Sequence, residues 1–376
     1  MKKVRVVYGG AGTGKTHTLI ALAKNILQGG RSVIILSPTH SSKMNIIRRA
    51  PELSEVVQTI YAFFKIDYEN NDMIYRKSTE EWPDSLLFDE FSLISRRLFK
   101  RIMKIVSREV DIVVFGDPAQ LNPISSEKPY VSLGMVKRCI DWKMEFPEIS
   151  HYTQSIYSTK YFRKGEKILL SKNHRSGDKV IQEIRRIFYA NNDVYFEITT
   201  HNLVDRLVRD EGYVVIASRY DILDTINESV NAGEISIACT SEKPCLKRIY
   251  FEVGQTYMVG ETVGTIVNGE TLTCTSCNAG NRPTIILEKE DHTPIVYDGK
   301  FSILPSYLLT AHKAQGMSIA RVIVVLDSLF ETNMLYTMIT RAMHDVKYYS
   351  TSGLNREELQ QHIDTTRRIL TFCGYR

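Results

Sequence analysis

The stretch VVYGGAGTGKTHTL, residues 6–19, constrains this chain more than any other part of it. Gly9-x-x-x-x-Gly14-Lys15-Thr16 follows an apolar, β-branched run and opens a segment of helical spacing, the strand–loop–helix setting of a phosphate cradle. Glycines at 9, 12 and 14 let backbone N–H groups curl around phosphate oxygens, and the N-terminus of the next helix favours the negative charge. Lys15 is expected to reach the β- and γ-phosphates of a nucleotide and Thr16 to ligate Mg²⁺, with His17 beside them. Such a loop serves kinases, GTPases, motors and regulators alike. What the phosphate energy is used for must be read further along.

The first third of the chain continues in the same style. VRVVY (Val4–Tyr8), SVIILS, SLLFD and DIVVFGD are short apolar runs separated by helical patterns, the sign of parallel βαβ units whose functional groups collect at the strands' C-terminal ends. A second series, YVVIAS (Tyr213–Ser218), ARVIVVL (Ala320–Leu326) and VKYYS, predicts a second α/β domain. Between them Ile249–Gly299 alternates β-branched and aromatic residues with NG and DG turns, which predicts a small antiparallel barrel. The expected domains are therefore 1–167, then 168–248 with 300–376, and an insert at 249–299.

Composition agrees with a soluble globular chain: 43% hydrophobic, 24% charged, and no apolar run near the roughly 18 residues of a membrane span. The basic start MKKVRVVYGG reads as a first strand rather than a signal peptide, and 6 cysteines in 376 residues indicate a reducing, intracellular setting. A net charge of +5 permits a nucleic-acid partner without requiring one, with a basic cluster in KYFRKGEKILLSKNHR.

LLFDEFS places Asp89 and Glu90 just past a buried strand, where a carboxylate can hold Mg²⁺ and a glutamate can polarise an attacking water. That pair favours hydrolysis over transfer to a substrate hydroxyl. FGDPAQLNPI then brings Gln120, able to bond the γ-phosphate and report its presence.

Taken in order, these stretches resemble superfamily 1 helicases. LSPTHSSK (Leu36–Lys43) looks like motif Ia, LLSKNHRS (Leu169–Ser176) like motif IV, LTAHKAQGMSIARVIVVL (Leu309–Leu326) like motif V and LYTMITRA (Leu335–Ala342) like motif VI. The PTH and HKAQGMS wording is similar to the Dda and RecD-like branch. The resemblance implies two RecA-like P-loop domains with an SH3-like insert in the second, ATP and Mg²⁺ between the domains, and 5′-to-3′ movement on single-stranded DNA up to duplex junctions. It implies that Arg175 and Arg341 act as arginine fingers, that Gln315 and Gly316 lie by the nucleotide, and that Pro38, Thr39, His40, Thr310, His312 and Lys313 face the strand. Such contacts position a strand without reading its bases. A small pin-like insert is expected at about 61–80, with Phe63 or Phe64 either stacking on the last base pair or serving as core. Action as a monomer in the cytoplasm, with a viral or phage-encoded protein acting in its host cell left open, beside replication or repair proteins, completes the implied picture.

Cys274-x-x-Cys277 with Cys239 and Cys245 reads as buried thiols rather than a zinc site. Three rival functions stand at this point: a viral-type RNA helicase, since no residue tests for a 2′-hydroxyl; a P-loop nucleoside or nucleotide kinase; and a module that uses ATP only to clamp DNA.

Overall fold

The computed structural model describes residues 4–67, 73–75, 81–123, 156, 159–190, 193–231, 235–278, 284–327, 329, 333–351 and 354–372. β1 (Val4–Gly9) leads through the glycine loop into α1 (Lys15–Gln28), which ends at Gly29. There follow β2 (Val33–Ser37), α2 (His40–Arg49), β3 (Val57–Thr59), α3 (Ile60–Phe64) and a two-stranded ribbon of β4 (Ile66–Asp67) and β5 (Met73–Ile74). β6 (Ser85–Phe88), α4 (Arg96–Ile105), β7 (Asp111–Gly116), α5 (Lys160–Lys164) and β8 (Glu166–Leu170) complete the first lobe. Its sheet has the order β3-β2-β6-β7-β1-β8, and every neighbouring pair is parallel.

Successive side chains of a strand point to opposite faces, so a sheet covered on both sides must be apolar throughout. Val6, Leu86, Phe88, Ile112 and Val114 pack on one face, and Val7, Leu87, Val113 and Phe115 on the other. This is why the strand runs read as continuous apolar blocks. Both faces being occupied, the sheet's C-terminal edge is left for chemistry.

The second lobe holds α6 (Asp178–Phe188), α7 (His201–Glu211), β9 (Val214–Ala217) and α8 (Tyr220–Val230) before the insert. β10 (Ile235–Ala238) and β11 (Arg248–Phe251) form an antiparallel ribbon. β12 (Thr256–Val259), β13 (Thr271–Asn278), β14 (Thr284–Glu288), β15 (Pro294–Tyr297) and β16 (Ile303–Pro305) form an antiparallel sheet in the order β15-β14-β13-β12-β16. The chain returns through β17 (Leu308–Thr310), α9 (Ala311–Ala314), β18 (Ile319–Val325), α10 (Met334–Ile339), β19 (Ala342–Tyr349) and α11 (Arg356–Phe372). The parallel sheet of this lobe runs β17-β9-β18-β19.

Three expectations shift. The first sheet reaches Leu170 instead of ending at 167, because β8 pairs with β1 along its whole length. The antiparallel region spans Ile235–Pro305 rather than 249–299, and among the described residues its main sheet is open, with β15 and β16 as its ends. No polar linker marks its borders because Tyr257, Leu272 and Leu287 share one apolar cluster with Val215, Leu223 and Ile323 of the second lobe. Finally, Phe63 and Phe64 do not offer a ring to a base pair: they are 6% and 0% exposed, and Phe64 stacks on Phe88 at 6.4 Å inside the first lobe. The remainder of the expected pin, at 68–72 and 76–80, lies outside the described residues.

Candidate active site between the lobes

The glycine loop is shaped by close approach as much as by φ. A Cβ on Gly9 would lie 2.3 Å from the Leu170 carbonyl oxygen, while Gly12 and Gly14 take left-handed φ values of 79° and 86° that a side chain would strain. Lys15, 8% exposed, donates from Nζ to the carbonyl oxygens of Gly9 and Gly10 at 2.8 Å each. Burial pulls its pKa down, against the attraction of Asp117 and Glu90. An ammonium kept in a half-dry pocket and bonded only to neutral carbonyls is poised to transfer to an anion. Thr16 and His17 lie on the cleft wall at the start of α1.

Asp89 and Glu90 follow β6. Burial, then the neighbouring Glu90 charge, push the Asp89 carboxyl up to about 7. Glu90 sits at φ 45°, a left-handed strain unusual for a side chain with a Cβ, and its Oε2 is buried without a hydrogen bond. Excess carboxylate in a dry site is the donor type that a divalent cation satisfies; Thr16 stands on the cleft wall, whereas Asp89 is buried and is not among the cleft's lining residues. After β7, Gln120 donates to Asp117 Oδ2 at 3.2 Å and accepts from Gln315 of the second lobe at 3.4 Å. Gln315 also donates to Ser92 Oγ at 3.1 Å. Gln315 therefore bridges the lobes behind the cleft, and Gly316 and Ser318 of the same motif stand on the cleft wall.

The second lobe presents two guanidinium groups. Arg175 donates to Ser318 Oγ at 3.1 Å and to the Thr340 carbonyl at 2.7 Å, leaving its buried Nε without an acceptor. Burial and the adjacent Arg341 charge bring its pKa down to about 10. Arg341, 1% exposed, donates from Nε to the Thr337 carbonyl at 3.0 Å, and burial lowers its pKa against the pull of Glu90 and Asp117. Lys15, Thr16, Glu90, Gln120, Arg175, Gly316 and Arg341 all line one cleft of about 740 Å³. Two lobes meet there, one bearing the cradle and the other the arginines.

The expected track is less uniform. Thr39 caps α2 by accepting from Ser42 N at 3.1 Å and remains exposed, as does His40; Pro38 is half-buried. Thr310 is 7% exposed and spends its hydroxyl as the cap of α9, accepting from Lys313 N at 3.4 Å, and His312 is half-buried. Lys313 does not point along an open surface. Its Nζ is buried with no hydrogen-bond acceptor, against the notch left by Gly260, where a Cβ would come within 3.0 Å of it. Burial takes its pKa to about 8 despite Glu261. The insert also reaches the first lobe: Gly269 abuts Ser41, and Arg48 pairs with Glu290 at 2.8 Å.

Several site residues were not singled out from the sequence, two of them inside LLSKNHRS. Asn173 donates to the Ala11 carbonyl at 3.0 Å and His174 N to the Gly12 carbonyl at 2.7 Å, so the segment linking the lobes grips the cradle. Asn45 and Arg49, on the exposed side of α2, line the cleft as well. An adjoining cleft of about 1090 Å³ is walled by Gly10, Leu170, Arg185, Tyr189 and Tyr336.

Comparison with known proteins supplies independent findings. Residues 1–141 match the family model described as AAA domain, and 305–346 the UvrD-like helicase C-terminal domain. The ATP-dependent DNA helicase dda of Enterobacteria phage T4 is 28% identical over 121 residues, which cover 31% of this chain but only 28% of that protein. The RecBCD enzyme subunit RecD of Buchnera aphidicola (subspecies Acyrthosiphon pisum) is 19% identical, covering 93% of this chain and 70% of the relative. The crystal structure of Bacteroides Pif1 helicase in complex with ADP-AlF3 and ssDNA has a TM-score of 0.61 at 17% identity, covering 95% of this chain and 90% of that one.

Proposed function

We propose, for a chain that belongs to the superfamily 1 helicases of the Dda, RecD and Pif1 branch and has their pair of RecA-like domains, the function of an ATP-driven 5′-to-3′ DNA helicase. The observation that carries this is the shared cleft: Lys15 and Glu90 on one wall, Arg175 and Arg341 on the other. Lys15 exchanges its two carbonyl partners for the β- and γ-phosphates. Glu90, strained and with a free oxygen, orients the attacking water and accepts its proton. The arginines stabilise charge on the transferring phosphoryl group, a contribution of about 10³–10⁵ in rate for such a finger. Thr16 and Asp89 would hold Mg²⁺, which would supply charge neutralisation for the phosphates. The wall formed by Leu170 and Tyr189 in the adjoining cleft suits the adenine base.

Movement follows from the same geometry. ATP bridges the lobes through charges that belong to both, and loss of the terminal phosphate removes that bridge. The Gln120–Gln315 contact carries the change to α9, beside which the strand lies. A kinase would leave the second lobe's arginines and the insert without a task. DNA as the polymer, the 5′-to-3′ direction, action as a monomer and a role in replication or repair rest on the likeness to the branch. No described helix is long and apolar enough to cross a membrane.

The direct test is ATP hydrolysis titrated with oligodeoxythymidine, oligouridine or neither. Strong, saturable stimulation by the DNA strand is expected. Stimulation by RNA alone assigns the chain to RNA, and phosphate transfer to a nucleoside with no strand effect assigns it to the kinases.

A further inference from the structure

We infer that Arg49 is a third arginine for the nucleotide's terminal phosphate, supplied by the strand-facing helix α2 and positioned by Asn45. This rests on the ATPase reading above and goes beyond the two fingers of the second lobe.

Four observations carry it. Asn45 and Arg49 line the cleft that holds the glycine loop, Glu90, Arg175 and Arg341. The Arg49 Nε donates to Asn45 Oδ1 at 3.2 Å, which fixes the stem of an otherwise exposed side chain and leaves the outer guanidinium nitrogens for another acceptor. Asn45 in turn donates from Nδ2 to the Gly316 carbonyl at 3.4 Å, so the same amide ties α2 to the second lobe. Lastly, the Arg49 charge is felt at Arg175, where it opposes the protonated form. Three guanidinium groups lining one cleft set up a potential that favours an anion there. A terminal phosphate held between the lobes is the ligand that offsets all three.

Neighbouring Arg48 shows why the placement is specific. It turns the other way, to Glu290 of the insert, at 2.8 Å. The last turn of α2 thus sends one arginine to the insert and the next to the nucleotide. At the other end of this helix, about 15 Å away, stand Thr39 and His40 of the expected track. A strand seated on Thr39 and His40 shifts a rod whose far end holds Arg49. Asn45 is then a positioning residue, acting through Arg49 and Gly316.

The test is equilibrium binding of a fluorescent non-hydrolysable ATP analogue and of fluorescent ADP, with and without oligodeoxythymidine. Arg49→Ala is expected to weaken the analogue about tenfold, the worth of one charge-assisted hydrogen bond, and ADP by much less. Arg49→Lys should restore part of the loss. Asn45→Ala should weaken the analogue less than Arg49→Ala does, and add little to it in the double variant. Thermal melts of each variant report on folding. Equal weakening of both nucleotides, additive losses, or unchanged analogue binding beside a Lys15→Ala control that does lose binding would each overturn the proposal. If Lys15→Ala also binds normally, the nucleotide-site reading itself fails.

Discussion

Under the proposed function, Arg341 is the residue on which the chemistry turns. It lies on the second lobe, is buried, and spends Nε and one Nη on Thr337 and Thr340 while its charge acts on Glu90 across the cleft. Arg341→Ala should leave nucleotide binding within a fewfold of the parent and slow strand-stimulated hydrolysis by about 10³–10⁵. Binding titrations and ATPase rates separate the two, with melting temperature read alongside because the side chain also ties α10. Equal losses in binding and turnover would contradict a finger role. At this scale the cradle, the Asp89–Glu90 pair and the arginines were legible because each follows a recognisable strand or motif wording. Asn45 and Arg49 were not: they sit on a helix side, where a polar residue is ordinary and only the partner lobe gives it a task, while Asn173 lay within LLSKNHRS with no role attached to it.

Among the elements, α9 and the insert are joined through Lys313. Its ammonium is buried in the Gly260 notch without an acceptor, and its pKa falls to about 8 from an ordinary value of 10.5. A lysine depressed in this way binds fewer protons when folded than unfolded. Stability therefore rises as pH climbs from about 8 to 10.5, and the cost is in full force below about 8. Lys313→Met should be more stable than the parent at pH 7 by about 1 kcal/mol or more, the cost of an unsatisfied buried polar group. Denaturant melts across pH 7–10.5 should show the variant's advantage shrinking; an advantage that grows with pH would contradict it. The long apolar strands and the turn-rich insert were readable from pattern. β17 is three residues long and the insert's borders pass through a shared apolar cluster, so neither carries a signal in composition. Phe63 and Phe64 show the converse: a suggestive aromatic pair that is buried in the core.

For the whole molecule, the first parallel sheet turns its C-terminal edge to the nucleotide cleft and the second its N-terminal edge, where Ser318 precedes β18 and Arg341 precedes β19. The insert shares its core with the second lobe yet touches α2 of the first through Gly269 against Ser41 and Glu290 against Arg48, so all three parts meet near the start and end of α2. Under the proposed function, phosphate chemistry between the lobes becomes displacement along a strand. The domain plan was legible at low resolution because motifs bracket it in order, while contacts between parts, being surface against surface, were not. The claim on which the rest depends is directional movement on DNA. The measurement that tests it most directly is ATP-dependent unwinding of matched duplexes bearing a 5′ or a 3′ single-stranded overhang, in DNA and in RNA. Unwinding of the 5′-overhang DNA, with little of the other three, is the expected result. Efficient unwinding from the 3′ overhang, or of RNA alone, would contradict it.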